Sequence, residues 1–527
     1  MDSIYAPKHI NDILPFEVLS YSFTFVDPCD PQNAHFATTL SLICQTWRRI
    51  VLDTPAVWTC IRIQTRNKPL TKDTIDASKA WYQRSKQLGC HFYLEFPLRV
   101  GEETSDSIVS ELIQPISPRL ETLFLCVPAA FLGDFTFVTP FQFPRLRSFT
   151  IRFPRDDHSR LLPLKFLPST GLFHSSSLHR LELTHGRVIG FFQDPKTSFR
   201  WSTLTHLNLH DKGLRAYDSL DIFCLATNLV HCELTIPGWP AHALDPNFVG
   251  STVSVSGNSD PYRPPCIHLH LRVLKLAFSS GVVSPFFARL SLPKLEDFRL
   301  SAQNILDPTY VHDALLDLAA RHPIEGLKRF EVEGISCPGD TMIEFLKKNE
   351  EIETLKLDDC DLCDEEFLGK LIIVPETPEG GTISPYAYAA LSSAFSSSSQ
   401  AVVSSYFLQN AASSIVPKLK YIWLNGTPDE DEWQLMETSP SSLLYFSEQK
   451  RGRSPKDETI QAFVESRSPA EGGTLKKVVM DNYMIEKEEV LEELIKLREG
   501  GMVLDLVGLG TSNRSRESSD EDDWWVA

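Results

Sequence analysis

One six-residue pattern recurs along this chain and constrains its fold more than any other feature. Apolar residues occupy its first, fourth and sixth positions, and the first copy is Leu-Glu-Thr-Leu-Phe-Leu at residues 120–125. Ten further copies lie at 146–151, 178–183, 204–209, 229–234, 271–276, 295–300, 327–332, 352–357, 419–424 and 475–480. Neighbouring copies begin 26, 32, 26, 25, 42, 24, 32, 25, 67 and 56 residues apart. A unit of similar length therefore repeats through most of the chain.

The pattern predicts a strand in each copy. Successive side chains of a strand face opposite sides, so the fourth and sixth residues should enter a core and the fifth should face outward. One copy cannot bury its apolar face alone, whereas stacked copies form a parallel sheet with a shared core. Residues 352–362 match the full leucine-rich-repeat signature. We therefore predict an α/β fold, a leucine-rich-repeat solenoid whose parallel sheet carries helices on its convex side.

Charge and cysteine usage exclude several classes of protein. The chain of 527 residues has a formal net charge of −18, which disfavours nucleic acid because phosphates reward clustered Lys and Arg. Its 11 cysteines have no disulfide-framework spacing. The sequence shows neither a signal-peptide core nor a membrane-spanning apolar run. We expect free thiols, a cytoplasmic and/or nuclear location, and neither a nucleic acid nor a membrane partner.

The motifs that would indicate catalysis or cofactor binding are missing from the sequence. There is no phosphate-binding Gly-rich motif ending in Lys and Ser or Thr, no Gly-x-Ser-x-Gly and no His-Glu-x-x-His. Cys360 and Cys363 form the single Cys-x-x-Cys, without the second pair that a zinc site usually needs. Cys360 also fills the Asn/Cys position of its repeat. We expect no catalytic residue, no cofactor and no metal, and hence no enzyme.

The helical periodicity divides the chain into a helical head and a repeat region. The head at 10–60 has apolar spacing typical of helices at 12–25 and 34–53, and residues 61–109 contain a linking helix (71–88) and the first strand of the stack (91–96). The repeat region is predicted to span 110–505, with helices at 217–227, 310–321, 341–348 and 485–497, insertions at 237–268 and 373–417, and a disordered acidic tail at 511–527.

The head resembles a known family. It contains Ile-Leu-Pro-Phe-Glu-Val-Leu at 13–19, then Phe23, then Leu-Ser-Leu-Ile-Cys-Gln-Thr-Trp-Arg-Arg at 40–49 and Thr-Pro-Ala-Val-Trp at 54–58. This series is similar to the F-box, in the version found in mushroom-forming (basidiomycete) fungi. Residues 80–85 and 91–96 are also typical of that group. The F-box resemblance covers about a tenth of the chain.

The resemblance implies a small all-α F-box and a function for the whole chain. F-box proteins with leucine-rich repeats are substrate-recognition subunits of Skp–cullin–F-box ubiquitin ligases. The F-box docks on a Skp-type adaptor, and through it on a cullin, while the repeat face binds a target protein, here unknown. The residues implied at the adaptor surface are Leu14, Pro15, Val18, Leu19, Phe23, Leu42, Ile43 and Trp47. Some of them, Trp47 above all, have the alternative of packing in the F-box's own core.

Two alternatives stay open. Ser22 stands where the family usually has Ile or Leu. This departure favours a non-catalytic leucine-rich-repeat scaffold with a vestigial F-box, which would act outside ubiquitination. In the second alternative, residues 10–60 are only the helical cap that the end of a solenoid requires.

The outward-facing strand positions are candidates for target binding. By alternation they form a polar face of mixed sign on which large residues recur. Solenoids commonly bind partners on such a face, and Trp, Tyr and Arg dominate interface energetics. The candidates on the concave face are Phe124, Arg180, His206, His210, Lys275, Arg299, Arg329, Tyr421 and Trp423.

Overall fold

The chain forms two compact units, Met1–Pro237 and Gly238–Ala527. The computed structural model describes residues 14–30, 33, 35–64, 71–96, 108–128, 131, 143–154, 175–186, 200–211, 216–236, 266–278, 284–287, 290–302, 315, 318, 326–335, 339–358, 365–372, 415–425, 457–469, 473–485 and 487–507. Each unit is described by itself below.

The described part of the first unit begins with three short helices. They are α1 (Phe16–Phe23), α2 (Phe36–Ile43) and α3 (Gln45–Asp53), followed by a 3₁₀ turn at Pro55–Trp58. These elements lie in the head, predicted at 10–60. The helix predicted from residue 12 is described from Phe16, and Asp12 lies outside the described residues.

The prediction of one continuous helix over 34–53 is wrong. Cys44 has an extended backbone, with φ −158° and ψ 169°, and separates α2 from α3. Its sulfur accepts a hydrogen bond from the Trp47 backbone N–H at 3.4 Å. A side-chain acceptor at this position satisfies one of the unpaired N–H groups of a helix start. The apolar spacing runs through the break, so periodicity alone does not reveal it.

The rest of the described first unit consists of a parallel sheet and the helices that connect its strands. Thr71 caps helix α4 (Lys72–Arg84), the helix predicted at 71–88, and a π-helical turn lies at Ile108–Ile113. Helix α5 is Ala216–Leu225. Seven strands follow one another in sequence order across the sheet, namely β1 (Cys60–Gln64), β2 (Cys90–Glu95), β3 (Leu120–Cys126), β4 (Ser148–Arg152), β5 (Arg180–Gly186), β6 (His206–Asp211) and β7 (His231–Ile236).

The second unit has the same organisation. A two-stranded parallel pair joins β8 (Cys266–Ile267) to β10 (Leu290–Ser291). The other strands again pair in sequence order, namely β9 (Val273–Phe278), β11 (Asp297–Ala302), β12 (Arg329–Glu333), β13 (Thr354–Asp358), β14 (Tyr421–Asn425), β15 (Lys477–Met484) and β16 (Val503–Val507). The helices among its described residues are α6 (Ser284–Phe287), α7 (Gly339–Lys348), α8 (Glu365–Leu371), α9 (Asp457–Ser466) and α10 (Glu488–Glu499).

The eleven predicted copies each coincide with a parallel strand of the unit in which they lie. In the first copy, Leu120, Leu123 and Leu125 are fully buried and Phe124 between them is half-buried. The α/β class and the parallel sheet are therefore as predicted. Strand β2 is the one predicted at 91–96, but β1 precedes it, so the sheet begins one strand earlier than expected. Strand β16 follows the last predicted copy.

A backbone hydrogen bond at the second position of each copy fixes the register between strands. In the first unit, Arg147 N donates to Glu121 O at 2.8 Å and His179 N donates to Arg147 O at 2.9 Å. In the second unit, Lys420 N donates to Glu353 O at 2.8 Å and Lys476 N donates to Lys420 O at 2.7 Å. The last two bonds span the longest gaps in the sequence, and across both gaps the strands are direct neighbours: β13 pairs with β14 and β14 with β15.

Several expectations fall wholly or mostly outside the described residues. These are the insertions predicted at 237–268 and 373–417 (apart from 266–268 and 415–417), the tail at 511–527, the helix at 310–321 (apart from 315 and 318) and the pair Cys360 and Cys363. Helices α5, α7 and α10 correspond to those predicted at 217–227, 341–348 and 485–497. Helices α8 and α9 lie in the two longest gaps and were not predicted.

The expectation of free thiols is wrong at two positions. Cys224 and Cys266 are disulfide-bonded. A disulfide depends on which thiols the fold brings within bonding distance, and the spacing of cysteines along a sequence does not show that. Other described cysteines are thiols outside any disulfide, namely Cys29, Cys44, Cys60, Cys90, Cys126 and Cys232.

Arg467 is the largest fully buried side chain in the described part of the chain. Its guanidinium donates to three backbone carbonyl oxygens, those of Leu371 at 2.8 Å, Ile415 at 2.6 Å and Val416 at 3.0 Å. Burial lowers the pKa of Arg467 to about 10, so it remains charged at neutral pH. This one side chain joins the end of α8, the approach to β14 and the end of α9, where the two longest gaps meet.

Replacing Arg467 should therefore destabilise the second unit strongly. Arg467→Met keeps an unbranched apolar stem but leaves three buried carbonyl groups without donors, which should lower the free energy of unfolding by about 3 kcal/mol. Urea denaturation followed by circular dichroism measures the loss. The control is Arg272→Met, whose side chain is largely exposed and pairs with Glu296 at 3.7 Å. It should change the free energy by less than about 0.5 kcal/mol. Equal effects of the two substitutions would contradict the role given to Arg467.

Candidate protein-binding surfaces

The head has its own apolar core. Leu19 and Phe23 of α1 pack with Leu40 of α2 and with Ile50 and Val51 of α3. The Phe23 and Trp47 rings lie 5.1 Å apart. This core is contributed by all three helices, which explains why short helices that would be marginal alone are stable here.

Helix α1 keeps a second apolar side that faces away from this core. Val18 is 44 % exposed, Tyr21 64 % and Phe25, just after the helix, 72 %. Their spacing of three and four residues places them along one face of the helix. The Tyr21 and Phe25 rings pack edge to face at 4.7 Å. Ser22 is exposed on the same side, and its hydroxyl donates to Val18 O at 2.8 Å.

The end of α2 carries two more exposed apolar side chains. Leu42 is 70 % exposed and Ile43 is 56 % exposed. The extended backbone of Cys44 ends the helix directly after them. Exposed apolar side chains do not stabilise the folded head by themselves. Apolar exposure concentrated in one small region is typical of an interaction site.

The eight residues expected at an adaptor surface separate into two groups. Pro15, Val18, Leu42 and Ile43 are exposed and accessible to a partner. Leu19 and Phe23 are buried, and Leu14 and Trp47 are partly buried against the head core. For Trp47 the packing alternative is thus the one the structure displays. The buried members can support the exposed ones, because they fix the helices that carry them.

The outward side of the first unit's sheet presents aromatic and charged residues in register. Tyr93 and Phe124 are neighbours on β2 and β3, with ring centroids 5.7 Å apart. The guanidinium of Arg152 lies 5.5 Å from the Phe124 ring and also binds the nearly buried Glu182 carboxylate at 2.6 and 3.0 Å. Arg180 contacts the other oxygen of Glu182 at 3.4 Å.

Two histidines extend this face. His206 and His231 are register partners on β6 and β7, and their rings stack at 6.0 Å. Burial, together with the nearby His231 and Arg180, lowers the pKa of His206, which keeps its ring neutral at neutral pH. His210 belongs to β6, but its side chain lies outside the described residues.

The outward side of the second unit's sheet carries a network of ion pairs. The nearly buried Asp297 of β11 accepts from Arg299 at 3.3 Å and from Arg329 at 3.2 Å. Arg299 also contacts Glu331 at 3.4 Å. Glu331 binds Lys356 of β13 at 3.1 Å. Acidic and basic side chains therefore alternate across three neighbouring strands.

The network ends on an aromatic pair. The Lys356 ammonium lies 4.6 Å from the Trp423 ring on β14, and Tyr421 lies two residues before Trp423 on the same strand face. Burial opposes the charge of Lys356, but the carboxylates of Glu331 and Asp358 outweigh it and raise the pKa of the ammonium.

Lys275 shares a register position with Arg299. Lys356 was not among the expected binding residues, although its position in the strand alternation indicated it.

No metal or membrane feature accompanies these surfaces in the part of the chain that the structure describes. No group of three or more His, Cys, Asp or Glu side chains is arranged there to hold a metal ion. No helix among the described residues is both long and apolar enough to cross a bilayer. The chain matches no known family model and no characterised protein in sequence comparisons.

The exposed and the buried residues of the head should respond differently to truncation. Phe23→Ala removes a ring from the head core and should lower the free energy of unfolding by about 3–5 kcal/mol. Leu42→Ala removes an exposed side chain and should change it by less than about 0.5 kcal/mol. Chemical denaturation of the full chain, followed by tryptophan fluorescence, compares the two. A large loss of stability in Leu42→Ala would show that Leu42 is a packing residue.

Proposed function

We propose that this chain is the substrate-recognition subunit of a Skp–cullin–F-box type ubiquitin ligase. In this proposal the head is an all-α F-box that docks on a Skp-type adaptor and through it on a cullin. The parallel strands of both units belong to a leucine-rich-repeat solenoid whose polar face binds a target protein. The chain performs no chemistry itself and raises the concentration of the target near the ubiquitin-carrying enzyme.

One observation carries the proposal: the head exposes large apolar side chains that its own fold does not need. The F-box motif supplies Val18, Leu42 and Ile43 as adaptor contacts, and these three are exposed, whereas Leu19 and Phe23 of the same motif are buried. A motif that served only for packing would place all five in the core. Burying these three exposed side chains against a partner would remove their apolar surface from water, and removal of apolar surface from water is the main driving force of association.

The outward strand positions support target binding. Phe124 lies beside Arg152, and Trp423 lies beside Lys356 on the strand that also carries Tyr421. Tyr, Trp and Arg are the residue types enriched in interface hot spots. The free thiols at six described positions favour the cytoplasm and/or nucleus, while the disulfide-bonded Cys224 and Cys266 weigh against a strongly reducing compartment. We propose no cofactor, nucleic acid or membrane as a partner.

A binding measurement with the full chain tests the adaptor step. Immobilised Skp-type adaptor should bind the unmodified chain, and Leu42→Ala should weaken binding at least about tenfold, since loss of one buried leucine at a hot spot costs about 1.4 kcal/mol or more. The control is Leu88→Ala, which truncates the same residue type at a position 44 % exposed outside the head and should leave affinity unchanged. Equal affinity of both variants would overturn the assignment of the surface.

The alternative function is that of a non-catalytic repeat scaffold with a vestigial F-box, and Ser22 is the observation that favours it. Its hydroxyl interrupts the exposed apolar side of α1 between Val18 and Phe25, where the family pattern has Ile or Leu. Ser22→Leu should strengthen adaptor binding several-fold if the surface is functional, because it adds apolar contact area at the interface. If neither the unmodified chain nor Ser22→Leu binds any Skp-type adaptor, the scaffold function is the correct one.

A further inference from the structure

A cluster of reactive side chains in the first unit is not used by the proposed function. The turn between α1 and α2 places Cys29 over the outward side of β1 and β2, where Arg62 donates to the Cys29 carbonyl oxygen at 3.1 Å. The Asp27 carboxylate holds the same turn by accepting from Cys29 N at 2.8 Å. Two strand residues, Cys60 and His91, are direct register partners below it.

The three side chains meet. The Cys29 thiol lies within hydrogen-bonding reach of both the Cys60 sulfur and the His91 imidazole. Cys29 and Cys60 are both free, Cys29 half-buried and Cys60 buried. His91 is held in place by a 2.9 Å hydrogen bond between its Nδ1 and the Thr122 hydroxyl. Two thiols that are 31 positions apart in the sequence are thus neighbours, and the more accessible one also faces an imidazole.

The environment divides the roles of the two thiols. The hydrogen bond from Cys60, together with the one from His91, lowers the pKa of Cys29 to about 5 despite partial burial. The Cys29 partner and burial raise the pKa of Cys60, and the contact with Cys29 raises the pKa of His91. The charged and titratable groups around Cys29 are Asp27, Cys60, Arg62, His91, Tyr93 and, through His91, Glu121. Cys29 is therefore a thiolate at neutral pH, and Cys60 is a thiol that donates to it.

We propose that Cys29 and Cys60 form an oxidisable thiol pair, with Cys29 as the attacking sulfur and Cys60 as the resolving sulfur, whose oxidant is a low-molecular-weight disulfide. The Cys29 thiolate attacks one sulfur of the small disulfide, whose S–S bond breaks and releases one thiolate. Cys60 then gives its proton to a released thiolate, and its sulfur attacks Cys29 and expels the second small thiol. The two protein thiols lose two electrons, and the small disulfide is reduced to two thiols.

The resulting bond would tie the head to the sheet. Cys29 belongs to the turn between two head helices, while Cys60 begins β1. The disulfide would close a loop across α2 and α3, and such a crosslink stabilises the folded chain by restricting the unfolded one. Oxidation would therefore tie the segment that contains α2, the helix carrying Leu42 and Ile43, to β1, the first described strand of the sheet.

Peptide mapping of the unmodified full chain tests the pair. The chain is equilibrated in mixtures of reduced and oxidised glutathione, quenched with iodoacetamide, digested and analysed by mass spectrometry. A peptide linking Cys29 to Cys60 should accumulate as the fraction of oxidised glutathione rises. Cys44, a half-buried thiol of the same head, is the internal control and should not appear in a linked peptide. Absence of the Cys29–Cys60 peptide under oxidising mixtures would overturn the proposal.

A rate measurement and one variant distinguish the roles of the Cys29 and Cys60 sulfurs. At pH 6, iodoacetamide should modify Cys29 about tenfold faster in the folded chain than in urea, since the larger thiolate fraction outweighs the lower nucleophilicity of an acidic thiol. In the Cys60→Ser variant, the reaction should stop at a stable mixed disulfide between Cys29 and glutathione. If this variant does not fold, the rate comparison in the unmodified chain still tests whether Cys29 is the attacking sulfur. Equal rates in the folded and unfolded chain would overturn the role of Cys29 as the attacking sulfur.

Discussion

The backbone hydrogen bond at the second position of each repeat is the constraint on which the rest of each sheet depends. It joins residue two of one copy to residue two of the next, for example Lys328 N to Glu296 O at 2.9 Å. With that register fixed, the fourth and sixth residues of neighbouring copies meet in the core and the fifth residues meet outside. The same bond spans gaps of very different length, because loop closure costs little more for a long loop than for a short one.

Much of this architecture could be predicted from leucine spacing, and the failures have a common cause. Strand β16 has Leu504 and Leu506 at the fourth and sixth positions but Gly501 at the first, and β1 has the buried Trp58 there. In both, an atypical first residue hides the repeat although the core positions are intact. The break at Cys44 was not predicted for the opposite reason. The apolar periodicity continues across it, and that pattern does not depend on the backbone dihedrals of one residue.

The candidate sites were less predictable because they depend on contacts between distant residues. Strand alternation indicated that Glu182 and Asp297 face outward, yet both are nearly buried by the arginines that pair with them. Likewise, nothing in the sequence brings Cys29 to Cys60, or Arg467 to the carbonyl groups of two gaps. Motif resemblance named eight head residues, but only the fold separates those that face solvent from those that build the core.

The charges of the outward faces bear on how a target would be recognised. Asp297 already binds two arginines, and Glu331 already binds Arg299 and Lys356. A partner that inserted a carboxylate next to Arg299 would have to break a pair that exists, so the net gain from new salt bridges would be small. Lys356 over Trp423 holds the indole in one orientation before any partner arrives. Affinity should then come mainly from aromatic surface held rigid by the network, while the alternating charges select among partners by repelling those of the wrong pattern.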